Sequence, residues 1–196
     1  VASMLGCESV TIWKDVDGIL SADPRIFSDV TLIDRLSYVD AVELAYSGAQ
    51  IIHPKTIKPL QNKNIPLYVR PFGAPDKPGS CICRWDDYVP PRVPVLILKR
   101  SQVLLSVEPK DFSFAMEESL EKVFTALNRH RQKVNMVQSS AVRISVSVDA
   151  SRYFDDLVND LKQDFAVRYN DNLELLTIRG YTWDIVERES LGIPYI

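Results

Sequence analysis

Apolar residues recur along this chain with two periods, and the second half shows them more cleanly than the first. Val103, Leu105 and Val107 alternate with polar neighbours, as in a strand with one wet face. Met116, Leu120, Val123, Phe124 and Leu127 recur at helical spacing and form one apolar stripe. Val134 and Met136 open another strand. Val142, Ile144, Val146 and Val148 then alternate with Arg143, Ser145, Ser147 and Asp149, and Gln138-Ser139-Ser140 suits a tight connection before them. Phe154, Leu157, Val158 and Leu161 predict a second helix, and Phe165 to Tyr169 a fourth strand. The order β-α-β-β-α-β over about 70 residues predicts a split βαβ, ferredoxin-like unit with both helices on one face of an antiparallel sheet. Leu173 to Arg179 reads as a further strand, followed by a polar, helix-compatible stretch to Ser190. That looks like the start of a repeat which the chain does not complete.

The first half is organised around Trp13-Lys14-Asp15-Val16-Asp17-Gly18-Ile19-Leu20-Ser21-Ala22-Asp23-Pro24-Arg25. It follows Val10-Thr11-Ile12, a buried strand end. Asp-x-Asp-Gly is turn chemistry, and Pro24 pushes Asp23 out of helical geometry. A loop with three carboxylates and an arginine, just after a strand, is where an open α/β sheet keeps its ligand; a plain solvated turn is the alternative. A calcium loop is rejected, because Gly18 comes too early and no closing glutamate follows. Val1 to Leu5 reads as the tail of a helix stopped by Gly6, as if the sequence began within a domain.

Ser37-Tyr38-Val39-Asp40 resembles a capping box. The helix after it turns Val39, Val42, Leu44 and Ala45 inward and ends at Gly48. His53 caps a second, short helix opened by Pro54 and distorted by Pro59. Ile65 to Arg70 and Ser80 to Cys83 are strands separated by a run of breakers. Pro90, Pro91 and Pro94 stiffen a linker, which puts a domain boundary near residue 90.

Composition changes this picture little. The 196 residues carry 46% hydrophobic and 25% charged residues and a net charge of −3, ordinary values for a chain that buries a core. No basic stripe appears, which argues against nucleic acid as the main partner. No apolar run reaches membrane-spanning length. Cys7, Cys81 and Cys83 form neither an even disulfide framework nor a metal-site spacing, so a reducing cytoplasmic home is expected. His130, at a helix end, is expected to cap it.

Three motifs in order resemble aspartate kinase, an amino-acid kinase with C-terminal ACT domains. They are Ile12 to Gly18 with Ala22-Asp23-Pro24-Arg25, then Glu43-Leu44-Ala45-Tyr46-Ser47-Gly48-Ala49-Gln50 with Ile51-Ile52-His53-Pro54, then Ile65 to Val69 with Pro78-Gly79-Ser80. The resemblance implies an α/β fold: the C-terminal part of the kinase sheet (1–90), a ferredoxin-like ACT domain (91–170) and the start of a second ACT unit (171–196). It implies transfer of phosphate from ATP, with Mg2+, to the side chain of L-aspartate. Lys14, Asp15, Leu20, Arg25, Gln50 and Ile51 then match nucleotide contacts, with Arg25 near the phosphates. Lys14, Leu20 and Gln50 stand where the family often has threonine, an aromatic and lysine. No counterpart of the family's Lys-Phe-Gly-Gly-Thr motif occurs here, so these residues alone are expected to be inactive. Val134, Asn135, Ser139 and Ser140 match residues that hold an amino-acid effector, lysine being the expected one, at the interface of an ACT homodimer. Two alternatives remain: a non-catalytic ACT subunit that dimerises and senses an amino acid, and a kinase for another small substrate.

Overall fold

The computed structural model describes residues 2–49, 52–85, 93–110, 116–180 and 183. In chain order the elements are α1 (Ala2–Leu5), β1 (Val10–Lys14), β2 (Ile19–Leu20), β3 (Leu32–Ile33), β4 (Arg35–Leu36), α2 (Tyr38–Ser47), α3 (Pro54–Gln61), β5 (Leu67–Pro71) and β6 (Ser80–Ile82). They continue with β7 (Val95–Pro109), α4 (Met116–Arg129), β8 (Val134–Ser139), β9 (Ile144–Asp149), α5 (Phe154–Leu161) and β10 (Phe165–Arg179). Two compact units result, Val1–Leu98 with Leu176–Ile196, and Lys99–Leu175. The proline linker expected near residue 90 falls largely on 86–92, and the helix-compatible stretch after Arg179 largely on 181–196. Those parts lie outside the described residues.

In the first unit a sheet runs β1-β5-β6-β4. β1 and β5 are parallel, with Val10 opposite Leu67 and Lys14 opposite Pro71, whereas β5 and β6 are antiparallel. Leu67, Val69 and Ile82 are fully buried against Leu44, Ile57 and Leu60 from α2 and α3. Each such side chain stabilises by about 1.5–3 kcal/mol. Val95 and Ile97, placed by the sequence beyond the boundary, join this same cluster. Arg179, at the end of β10, bonds both Asp40 and Glu43 of α2.

Local signals explain the helices. Ser37 Oγ accepts from the Asp40 amide at 3.1 Å, the serine cap read from the sequence, and donates to Asp40 Oδ2 at 2.7 Å. Gly48 closes α2 in left-handed geometry, with φ 116°. The inward face differs from expectation: Tyr38, Ala41 and Leu44 are buried, while Val39 is exposed. Tyr38 wins the inward position because its hydroxyl donates to the Ile65 carbonyl at 2.8 Å. Burial pushes that phenol up to about 12. His53 caps α3 as expected, Nδ1 accepting from the Lys55 amide at 3.1 Å. The next strand starts two residues late, at Leu67 rather than Ile65.

The second unit is the ferredoxin-like sheet, β10-β7-β9-β8, that is, 4-1-3-2 within the unit. β9 runs antiparallel to both β7 and β8. Val103, Leu105, Val107, Ile144, Val146 and Val148 face α4 and α5, meeting Val123, Leu127, Leu157 and Leu161. Gln102, Leu104 and Ser106 lie opposite Asp149, Ser147 and Ser145 on the other face. Four expectations are corrected. Phe124 and Val142 are exposed. The tight connection is Ser140 to Arg143, closed by the Ser140 amide on the Arg143 carbonyl, because β8 runs on to Ser139. His130 does not simply cap α4: its Nε2 lies 2.9 Å from Asp160 Oδ2 on α5. Finally, 165–169 and 173–179 are one strand, in which Asn172 takes φ 55° without breaking the element.

Candidate functional site

The loop that organises the first half leaves the C-terminal end of β1, beside the end of its parallel neighbour β5. The Phe72 amide, just past β5, donates to the Lys14 carbonyl at 2.6 Å, so the loops after Lys14 and after Pro71 begin side by side. Lys77 and Asp17 join them again, with Nζ 2.9 and 3.0 Å from the two carboxylate oxygens. Two motifs some sixty positions apart in sequence thus form one corner.

Ser80 is the pin beneath that corner. Fully buried, it accepts from the Ile19 amide at 2.8 Å and donates to the Ile33 carbonyl at 2.5 Å. Both neighbouring glycines are required by close approach. A Cβ on Gly79, at φ 66°, would fall 2.1 Å from the Val69 carbonyl oxygen; one on Gly18 would fall 2.6 Å from Ser80 Oγ. Ser21 holds the far side: its hydroxyl accepts from the Thr31 amide at 2.9 Å, and its amide donates to the Thr31 carbonyl.

Among the candidate nucleotide contacts, Lys14 is half-buried at the strand end, Asp15 is exposed and Leu20 is half-buried in β2 opposite Leu32. Arg25 folds back on Asp23 as a two-pronged fork, Nε to Oδ1 at 3.0 Å and an Nη to Oδ2 at 2.7 Å. The hydrogen bond to Asp23 raises the Arg25 pKa further, with charge contributions from Asp23 and Asp15. Asp15, Asp23 and Arg25 thus interact with one another and Asp17 pairs with Lys77, so mixed charges rim the loops that leave β1 and β5. Gln50 and Ile51 lie outside the described residues. The sequence did not single out Asp17–Lys77 or Ser80 as partners, since nothing local links residues so distant.

Cys81 and Cys83 are half-buried on one face of the β6 strand and its continuation. Burial, then Cys81, pushes the Cys83 thiol up to about 11, which keeps it protonated and unreactive. Among the described residues no group of three or more His, Cys, Asp or Glu side chains could hold a metal. No helix there is long and apolar enough to cross a membrane.

In the second unit the four candidate effector residues separate into two pairs at opposite ends of β8. Val134 packs against the core. Asn135 sits at a bulge between Val134 and Met136 and bonds Gln102, Asp149 and Lys99. Ser139 and Ser140 are exposed at the other end, about 13 Å on at strand rise. An open groove of about 350 Å³ between α4 and α5, lined by Glu118, Glu121, Lys122, Arg129, Asp160 and Asp164, contains none of them.

Comparison with known proteins identifies the family. Residues 1–71 match the amino acid kinase family. Aspartokinase 3, chloroplastic, of Arabidopsis thaliana is 33% identical over 153 residues, 78% of this chain and 27% of that protein. The lysine-sensitive aspartokinase 3 of Escherichia coli (strain K12) is 32% identical over 151 residues, 77% of this chain and 33% of that one. The structure of E. coli aspartokinase III in complex with aspartate and ADP (R-state) superposes with a TM-score of 0.81 at 28% identity, over 98% of this chain and 45% of that one. The chain thus spans 27% to 33% of the length of these two curated relatives. By family match, relatives and fold it is an aspartokinase-type member of the amino acid kinase family, corresponding to the C-terminal part of those proteins.

Proposed function

We propose that this chain serves an aspartate kinase, which transfers the γ-phosphoryl group of ATP to the side-chain carboxylate of L-aspartate, giving ADP and 4-phospho-L-aspartate. The observation that carries this is the paired loops at the C-terminal edge of β1 and β5, where Lys14, Asp15 and Arg25 gather. Open α/β sheets bind ligands at that edge. Asp15 accepts from the base or ribose. Arg25, released from Asp23, offers its fork to the phosphates. Leu20 contacts the nucleotide from β2, and Gln50 and Ile51 are nucleotide contacts in the same reading. Phosphoryl transfer needs positioning and positive charge more than covalent help, and the rim supplies both. Mg2+ enters this reading bound to the nucleotide phosphates.

Residues 1–90 supply kinase-domain sequence, 91–170 the ACT fold, and 171–196 the start of a second such unit. The ACT part binds an amino-acid effector, lysine, in a cytoplasmic homodimer. Pairing two β8 edges antiparallel about Val137 sets Asn135 of one copy opposite Ser139 of the other. That arrangement reunites the candidate effector residues which a single copy keeps apart.

Two measurements test the kinase reading. An aspartate-dependent ADP-release assay on the 196 residues alone is expected to give no turnover. Calorimetry with MgADP is expected to show weak binding that Asp15→Ala weakens about tenfold, the loss of one charge-assisted hydrogen bond. Equal heats from both proteins would remove the loop from the nucleotide site. A second reading, a non-catalytic ACT module that dimerises and senses an amino acid, draws on the completeness of the four-stranded sheet in Lys99–Leu175.

A further inference from the structure

Residues 72–80 run along the loop that follows β1 and are tied to it in order at Lys14, Asp17 and Ile19. The Phe72 amide donates to the Lys14 carbonyl at 2.6 Å, Lys77 Nζ bonds Asp17 at 2.9 Å, and Ser80 Oγ accepts from the Ile19 amide at 2.8 Å. Between these ties the Ala74 amide closes on the Pro71 carbonyl and the Lys77 amide on the Ala74 carbonyl. Hydrogen bonds at both ends and in the middle thus fix where this loop stands. It carries a single aromatic side chain, Phe72, which is 76% exposed. A ring set on a tied backbone and left in water still offers most of its apolar face to a ligand. The apolar neighbours on the β2–β3 side, Leu20 and Leu32, are aliphatic. Trp13, another exposed aromatic near this edge, lies within β1 opposite Arg70, short of the loop.

We propose that Phe72 is the stacking face for the purine base of the nucleotide, a base-selecting residue contributed by the loop after β5. The inference rests on the nucleotide reading of the opposite loop. Asp15, which in that reading accepts from the base or ribose, directly follows Lys14, whose carbonyl holds the Phe72 amide. The base end of the nucleotide therefore comes to the first of the ties, while Arg25, further along the loop, takes the phosphates. Every base presents a π face to an aromatic ring, and the larger face stacks more strongly. A two-ring purine covers more of Phe72 than a one-ring pyrimidine does. An aliphatic side chain at the same place would bury area without the ring-on-ring geometry. Phe72 has no charge and no hydrogen-bonding group, so it acts on affinity and on the choice of base.

The test is calorimetry and thermal unfolding of the 196-residue chain with MgADP and with MgUDP. Wild type is expected to bind MgADP the more tightly. Phe72→Ala should melt at nearly the wild-type temperature, because the ring is already in water. It is expected to bind MgADP about tenfold more weakly. MgUDP should weaken by less, so that the preference for the purine shrinks. Phe72→Tyr, which keeps the ring, is expected to bind both nucleotides as wild type does. Phe72→Leu, which keeps apolar bulk without the ring, should show the same narrowed preference, and it reads that preference if Phe72→Ala does not fold. A MgADP affinity that Asp15→Ala lowers and Phe72→Ala leaves unchanged overturns the role of Phe72 and keeps the nucleotide reading. No saturable MgADP binding to wild type, or binding that neither variant moves, overturns the nucleotide reading and this inference with it. Equal losses for both nucleotides in Phe72→Ala, or a Phe72→Leu that matches wild type, overturn base stacking and leave Phe72 a support of its loop.

Discussion

Gly79 and Ser80 do more for the candidate nucleotide corner than any charged residue on its rim. Gly79 lets the chain pass beneath the Val69 carbonyl with a left-handed backbone, and Ser80 then ties the loop at Ile19 to β3 at Ile33. Gly79→Ala combines a left-handed alanine with a backbone clash and is expected to cost about 3 kcal/mol or more, read from the denaturant midpoint. The ion pairs Lys77–Asp17 and Arg25–Asp23 are largely exposed, so removing them should change stability little. Asp149 gives a pH prediction. Against the cost of burial, hydrogen bonds from Gln102, Lys99 and Asn135 hold its folded pKa below the ordinary aspartate value, so its contribution is present above about pH 4 and is lost as pH falls through the folded value. Urea unfolding between pH 2 and 6 should show wild type losing its advantage over Asp149→Asn toward the acid end. An advantage that does not vary with pH would contradict the charged network.

At the scale of elements, the two helices of the second unit differ in how plainly their faces were written. Phe154, Leu157, Val158 and Leu161 were read from spacing and are all buried. In α4 the helical stripe was right in phase but one residue too wide, and Phe124 faces solvent. Leu157→Ala is therefore expected to cost about 2–5 kcal/mol, and Phe124→Ala under about 1 kcal/mol, by denaturant titration. Comparable losses would mean the helix is rotated. Period alone could not show that β7 and β10 run on for 15 residues each. Ser101 and Asn172 take positive φ inside them, and polar residues of that kind read as breaks in a sequence. The β8 bulge was hidden for a related reason: it depends on which partner residue each position meets.

For the whole molecule, the open edge of the second sheet makes the clearest demand. β8 ends the order β10-β7-β9-β8, and Met136 and Val137 are exposed on it. Unpaired strand edges invite pairing with another chain, and a lysine blunts them. Val137→Lys should therefore weaken self-association at least about tenfold in sedimentation velocity, leaving the melting of a dilute sample nearly unchanged. An unaltered monomer–dimer balance would move the interface elsewhere. The sequence by itself determined the β-α-β-β-α-β order, the caps at Ser37 and His53 and the family motifs, because periodicity, capping and turn chemistry act between residues a few positions apart. Only the tertiary structure decided that Asp17 meets Lys77, that Ser80 holds Ile19, and that Lys99 bonds Asn135. Those contacts join residues tens of positions apart, and strand register, not local pattern, brings them together.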